Sequence, residues 1–172
     1  KGQVAKTALG DVFRVITEVG NAEFADVEES GLYAHLIEQG KLIEHHHVPL
    51  TDVTNVSNIE TLLRHPSLPM VSYPYEWCFQ QMKDAALLQL DLYLESLEYG
   101  KTLSDATAYN VQFLRGKPIF IDTLSFIPYT PGQFWLGQEQ FTEQFLNPLL
   151  LTSYSGLPFN DIYRGSMTGV SS

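Results

Sequence analysis

The chain has 172 residues, 44% of them hydrophobic, with 10 Phe, 9 Tyr and 2 Trp. That suits one domain, or two small lobes sharing a cleft, with a core large enough to need no staples. Ten basic residues stand against 20 acidic ones, a formal net charge of -10, which speaks against nucleic acid, whose binders rely on Lys and Arg against phosphate, and against an anionic membrane surface.

No apolar run is long enough to span a bilayer. Ala85 to Leu97 is broken by Gln89, Asp91 and Glu95, and Phe145 to Leu151 by Asn147. The chain begins at Lys1 and ends in Gly-Val-Ser-Ser; the expectation is a fragment of a longer protein. The single cysteine, Cys78, excludes an internal disulfide and fits a reducing cytoplasm, the compartment expected for it.

In chain order, Gly10 to Val19 reads as a strand through Val12, Phe13, Val15 and Ile16. A turn follows around Gly20. The apolar spacing of Phe24, Val27, Leu32, Leu36 and Ile37 predicts a helix over about Ala22 to Gln39, weakened by Gly31 and closed by Gly40. Leu42 to Val53 reads as extended and carries His45, His46 and His47. Neighbouring strand residues face opposite ways, so at most His45 and His47 share a metal, with Glu44 and Asp52 nearby. A partly exposed edge segment is the simpler reading.

Pro66, Pro69 and Pro74 punctuate the next stretch, with Leu68 to Tyr73 as a short strand candidate. A lobe boundary is placed here, since Pro74 cannot sit inside a helix or central strand without cost. Tyr73, Tyr75 and Trp77 read as core packing between lobes, or as the lining of an adenine slot at the hinge. The strongest helix covers about Glu76 to Tyr99. Phe79, Met82, Ala86, Leu90, Tyr93 and Leu97 form its stripe, widened by Leu88, Leu92 and Leu94, and Gly100 ends it. On that helix Cys78 reads as a small buried hydrophobe. Beyond it, Lys101 to Tyr109 is a loop. Val111 to Phe113 and Pro118 to Ile121 form a hairpin around Leu114-Arg115-Gly116-Lys117. A last helix is expected near Gln138 to Leu151, with Phe134, Trp135, Phe141 and Phe145 packing onto the long helix.

The hairpin gathers polar residues. Asn110 stands just before its first strand and Asp122 just after its second, so the two should be neighbours, with Asp105 one loop away. Divalent metal on nucleotide phosphates wants hard oxygen ligands, and a further carboxylate can take a hydroxyl proton. Turn and cap roles are the commoner use of Asp and Asn at such places. The order Asp105, four residues, Asn110, hairpin, Asp122 resembles the protein-kinase pattern, as does the long helix before it. That resemblance implies an α+β, two-lobed kinase-like fold. A small N-lobe (1–75), truncated at its start, would carry a strand-helix unit, and a mainly helical C-lobe (76–172) would carry the site hairpin. It also implies Asp105 as the catalytic base, Asn110 and Asp122 as Mg²⁺ ligands, and Arg14, Glu28 and Glu76 as nucleotide-binding residues. Arg14 would pair with Glu28 or Glu29, where a kinase pairs a strand lysine with a helix glutamate; an ordinary surface pair is the alternative.

The sequence departs from an active kinase. Leu103 and Ser104 stand where His-Arg usually precedes the catalytic Asp, and Thr123-Leu124 where Phe-Gly follows the metal-binding Asp. No glycine-rich phosphate loop is visible, and Arg does not replace Lys neutrally. The words Ser72-Tyr73-Pro74-Tyr75-Glu76-Trp77, Ser104 to Phe113, Phe120 to Phe126 and Glu143 to Leu150 resemble a bacterial family of class I SAM-dependent methyltransferases. In that family these words precede the methyl-transfer domain. The resemblance therefore places SAM in an adjoining domain, since no Gly-rich strand-turn-helix for it occurs here. Two readings stay open: an ATP- and Mg²⁺-binding kinase-like domain acting on a nucleotide or small molecule, or an inactive kinase-like module serving the attached methyltransferase.

Overall fold

The computed structural model describes residues 1–7, 10–50 and 58–171. The protein mixes helices with small antiparallel sheets, so α+β holds as the fold class. Asp52, Val53 and the rest of 51–57 lie outside the described residues.

The first sheet has four strands: β1 (Gly2–Lys6), β2 (Val12–Thr17), β3 (His46–His47) and β4 (Ile59–His65). Their order is β1-β2-β4-β3, all antiparallel. β2 matches the expected strand. β1 and β4 are additional, and the expected strand at Leu68 to Tyr73 does not form. The expected single helix is two: α1 (Glu18–Glu29) and α2 (Leu32–Glu38). The expected turn around Gly20 is instead the first turn of α1. The break sits at Gly31, whose φ of 85° is left-handed. A side chain there meets nothing closer than 4.0 Å, so its cost is backbone strain alone. Gly31→Ala should lower the unfolding free energy by about 1 kcal/mol in urea denaturation.

The second half is built on α3 (Phe79–Glu98). Its buried line is Met82, Ala85, Ala86, Leu88, Gln89, Leu92 and Ser96, rotated from the expected stripe. Phe79 and Leu94 are exposed, while two polar residues face inward. Cys78 is exposed at the N-cap, not buried as expected. Its backbone N–H donates to the Gln81 side chain at 2.9 Å. Gly100 (φ 68°) ends the helix as expected.

β5 (Lys101–Leu103) pairs with β8 (Phe126–Pro128), and the predicted hairpin forms as β6 (Val111–Leu114) and β7 (Lys117–Phe120). Arg115 and Gly116 both have positive φ, the two-residue turn that matches strand twist. The last helices are α4 (Gln138–Phe141), a π-helical stretch at Thr142–Leu146, α5 (Asn147–Ser155) and α6 (Phe159–Gly165). No helix among the described residues is long and apolar enough to cross a membrane.

One core runs through both halves. Ile16, Phe24, Leu36 and Leu63 belong to the same buried cluster as Leu92, Phe120, Phe126 and Phe145. The joint is backbone as well as side chain: Phe120 N–H donates to the Lys41 carbonyl and Ile43 N–H to the Phe120 carbonyl, each at 2.8 Å. Trp77, with 2% exposure, packs edge-on against Phe113, and its indole N–H donates to Ser72 Oγ at 3.0 Å. It is a core residue, while Tyr73 and Tyr75 stack on each other nearby with centroids 5.5 Å apart.

Candidate functional site

The segment after the hairpin is held from two sides. Asp122 caps the short turn Thr123–Ser125: its Oδ1 accepts from Leu124 N–H at 3.3 Å and its Oδ2 from Ser125 O–H at 2.6 Å. These bonds are local, and any Asp preceding such a turn makes them. The third partner is not local. Arg14 on β2 places Nη1 2.6 Å from Asp122 Oδ1 and donates from Nη2 to the Ile121 carbonyl at 3.2 Å. The two side chains are only 10% and 22% exposed. From α2, Tyr33 O–H donates to the Thr123 carbonyl at 2.7 Å, and burial pushes that phenol far above its ordinary value. The first half thus grips 121–123 through Arg14 and Tyr33.

Asp105 stands across a cavity of about 300 Å³ that it lines with Arg14, Ser104, Asp122 and Ser125. Its Oδ1 accepts from Thr107 N–H at 3.0 Å, a short Asx turn. Three glutamines, of which only Gln89 stands out in the sequence, as a break in an apolar run, brace this loop. Gln89 Nε2 donates to the Thr107 carbonyl at 3.3 Å. Gln140 Oε1 accepts from Ala106 N–H at 3.0 Å. Gln144 Oε1 accepts from Thr107 O–H at 2.8 Å and Ala108 N–H at 2.9 Å. Trp135 adds an indole N–H bond to the Leu103 carbonyl at 2.7 Å. A Gln inside an apolar helix stripe is the only sequence signal for any of these.

Other expected residues lie elsewhere. Asn110 does not line the cavity; its backbone carbonyl accepts from Ile121 N–H at 2.9 Å, which closes the hairpin. Glu28 does not pair with Arg14. Its Oε1 lies 2.7 Å from His47 Nε2 and 3.8 Å from His45 Nε2. Those two rings do turn to one side, but among the described residues no group of three or more His, Cys, Asp or Glu is gathered to hold a metal. Glu76 is exposed and accepts from Tyr73 N–H at 2.7 Å, a cap for the turn at Pro74. Lys41 instead pairs with Glu95 and Asp91 across the two halves.

The donor set at Asp122 does not fit Mg²⁺. That ion requires near-octahedral oxygen ligands with room for water, and here a guanidinium already meets one carboxylate oxygen while the other accepts a hydroxyl.

Beyond Arg14 lies a more apolar cavity of about 230 Å³, walled by Val4, Val12, Ile43, Leu68, Val71 and Ile121 among others. Arg14 borders both cavities, and His65 borders this one. His65 sits at 5% exposure, and burial, with Arg14 next in effect, holds its imidazole down at about 4. Burial also lowers His45.

No protein-family model matches the chain. It is similar to the nodulation protein NoeA of Rhizobium meliloti (strain 1021), 43% identical over 162 residues, which is 94% of this chain and 34% of that protein. The chain therefore spans about a third of the length of that curated relative.

Proposed function

We propose that the chain is a kinase-like, catalytically inactive module that positions a substrate or partner for an attached methyl-transfer domain. The Arg14–Asp122 ion pair carries this reading. A metal-dependent phosphotransferase needs its hairpin Asp free for the metal on the phosphates, and here the charge of Asp122 is met by a protein cation. Several features favour kinase-like architecture: the small sheet and helix over a mainly helical half, the turn at Pro74, and a hairpin lying between Asn110 and Asp122. The attached domain rests on the sequence resemblance to SAM-dependent methyltransferases, and on a relative about three times as long as its matched region. SAM belongs to that domain in this reading. NoeA's name ties that protein to nodulation, and the bacterial, cytoplasmic setting of this chain is part of the same proposal.

One observation favours a second reading, an ATP- and Mg²⁺-binding enzyme with Asp105 as base and Asn110 and Asp122 as ligands. Asp105 and Asp122 share the cavity beside Arg14. This reading requires Arg14 to release Asp122 and Asn110 to turn toward it. Thermal unfolding with millimolar ATP separates the two. The inactive module should show no Mg²⁺-dependent rise in Tm. A rise that needs Mg²⁺ and disappears in Asp122→Asn would favour the enzyme.

A further inference from the structure

The pair at Arg14 has a titratable neighbour that no role above uses. β2 and β4 run antiparallel with Val12 opposite His65 and Arg14 opposite Leu63. Residues two apart on a strand share a face, so Arg14 and His65 are diagonal neighbours on one face, with Cα atoms about 7–8 Å apart. His65 Nδ1 lies 3.1 Å from the Glu44 carbonyl. A carbonyl only accepts, so Nδ1 carries the hydrogen and Nε2 is the bare nitrogen of the neutral ring. That Nε2 is buried without a hydrogen-bond partner among the described residues, as are His45 Nδ1 and Arg14 Nε. The His45 ring lies 6.0 Å from His65 and packs edge-on against Tyr33 at 5.3 Å.

A proton added at His65 Nε2 has no acceptor waiting for it and arrives beside a guanidinium. We propose that His65, backed by His45, is a proton-operated release on the Arg14–Asp122 latch: protonation sets a second cation against Arg14 and loosens its hold on Asp122 and Ile121. The charged and titratable groups facing the pair are known from each packed element. Glu28 from α1 and Tyr33 from α2 face His45. Arg14 from β2 and, more weakly, Asp122 act on His65, and Lys6 from β1 lines the same apolar cavity as His65 and Arg14. Glu44, His46 and His47 flank His45 along the chain. Of these, Glu28 and Asp122 favour the protonated rings, and both are already engaged, by His47 and by Arg14. Protons have a route, because His65 also lines an open cavity of about 440 Å³ with Asp11, Glu44 and Arg64. The inference concerns the latch itself and holds whichever of the two functional readings is right.

The test is ¹⁵N NMR on the chain, following Arg14 Nε–H exchange with water, the His65 ring shifts, and the Leu92 amide in α3 as a reference for global unfolding. Burial, with Arg14 next in effect, holds His65 near 4 when latched, so exchange corrected for its intrinsic rate should rise at Arg14 from pH 7 to pH 5, by about 20-fold at most, the limit for a His65 freed fully to 6.5. The Leu92 amide should not follow. The rise should vanish in His65→Gln. If that variant does not fold, the wild-type rise must still track His65 protonation. Linkage also requires the His65 pKa to climb in Arg14→Met. An Arg14 rate that stays flat while His65 protonates, a parallel rise at Leu92, or a rise that persists in a folded His65→Gln protein would each overturn the release.

Discussion

Arg14→Met should lose about 3 kcal/mol of stability in urea denaturation, although it removes a charged residue from the wall of an apolar cavity. A pair this buried is not a surface salt bridge, whose removal costs under about 1 kcal/mol. Deleting the guanidinium strands the Asp122 carboxylate at 22% side-chain exposure and takes a donor from the Ile121 carbonyl. The loss should be partly recovered in Arg14→Met/Asp122→Asn, since the neutral amide needs no counter-charge and still accepts from Leu124 N–H. A coupling of about 1–3 kcal/mol in that cycle marks a direct pair. Single effects near about 0.5 kcal/mol that simply add would mean the pair is solvated in solution.

Phe120→Ala should be costlier, about 4 kcal/mol, enough to remove much of the stability of an ordinary domain. Phe120 is fully buried, and its ring meets Phe126 edge-on at 5.7 Å. Its backbone bonds tie β7 to Lys41 and Ile43 of the first half. A cavity there sits where the two halves share one core, so both should lose structure in a single transition. Phe134→Ala is the control: Phe134 is 88% exposed, and its loss should stay within about 0.5 kcal/mol. Unfolding followed by far-ultraviolet circular dichroism and by tryptophan fluorescence checks both variants. Two separate transitions in Phe120→Ala would show that the halves fold independently.

The long helix and the hairpin were legible because their signals are local. A periodic stripe closed by Gly100 makes α3, and two apolar runs around Arg115-Gly116 make β6 and β7. Asp122 as a turn cap was legible for the same reason. The partner of Arg14 was not. A strand side chain meets whatever tertiary packing lays on its face, and Glu28, the neighbour suggested by analogy, is taken by His45 and His47. The strand β4 was obscured by the prolines that follow it, since Ile59 to His65 alternates only imperfectly. Gln89, Gln140 and Gln144 were invisible as loop braces because an amide turned inward is explained only by the carbonyl or N–H it meets. Gly31 did signal weakness in the first helix, and the structure turns that weakness into a break.

The measurement that bears most directly on Asp122 is paramagnetic broadening by Mn²⁺ with ADP, read on the amides of Ile121 to Ser125. If Arg14 is the cation of Asp122, these amides should show no saturable broadening, in wild type and Asp122→Asn alike. Saturable broadening centred on Asp122 and lost in Asp122→Asn would contradict the assignment and return the site to metal-dependent nucleotide chemistry.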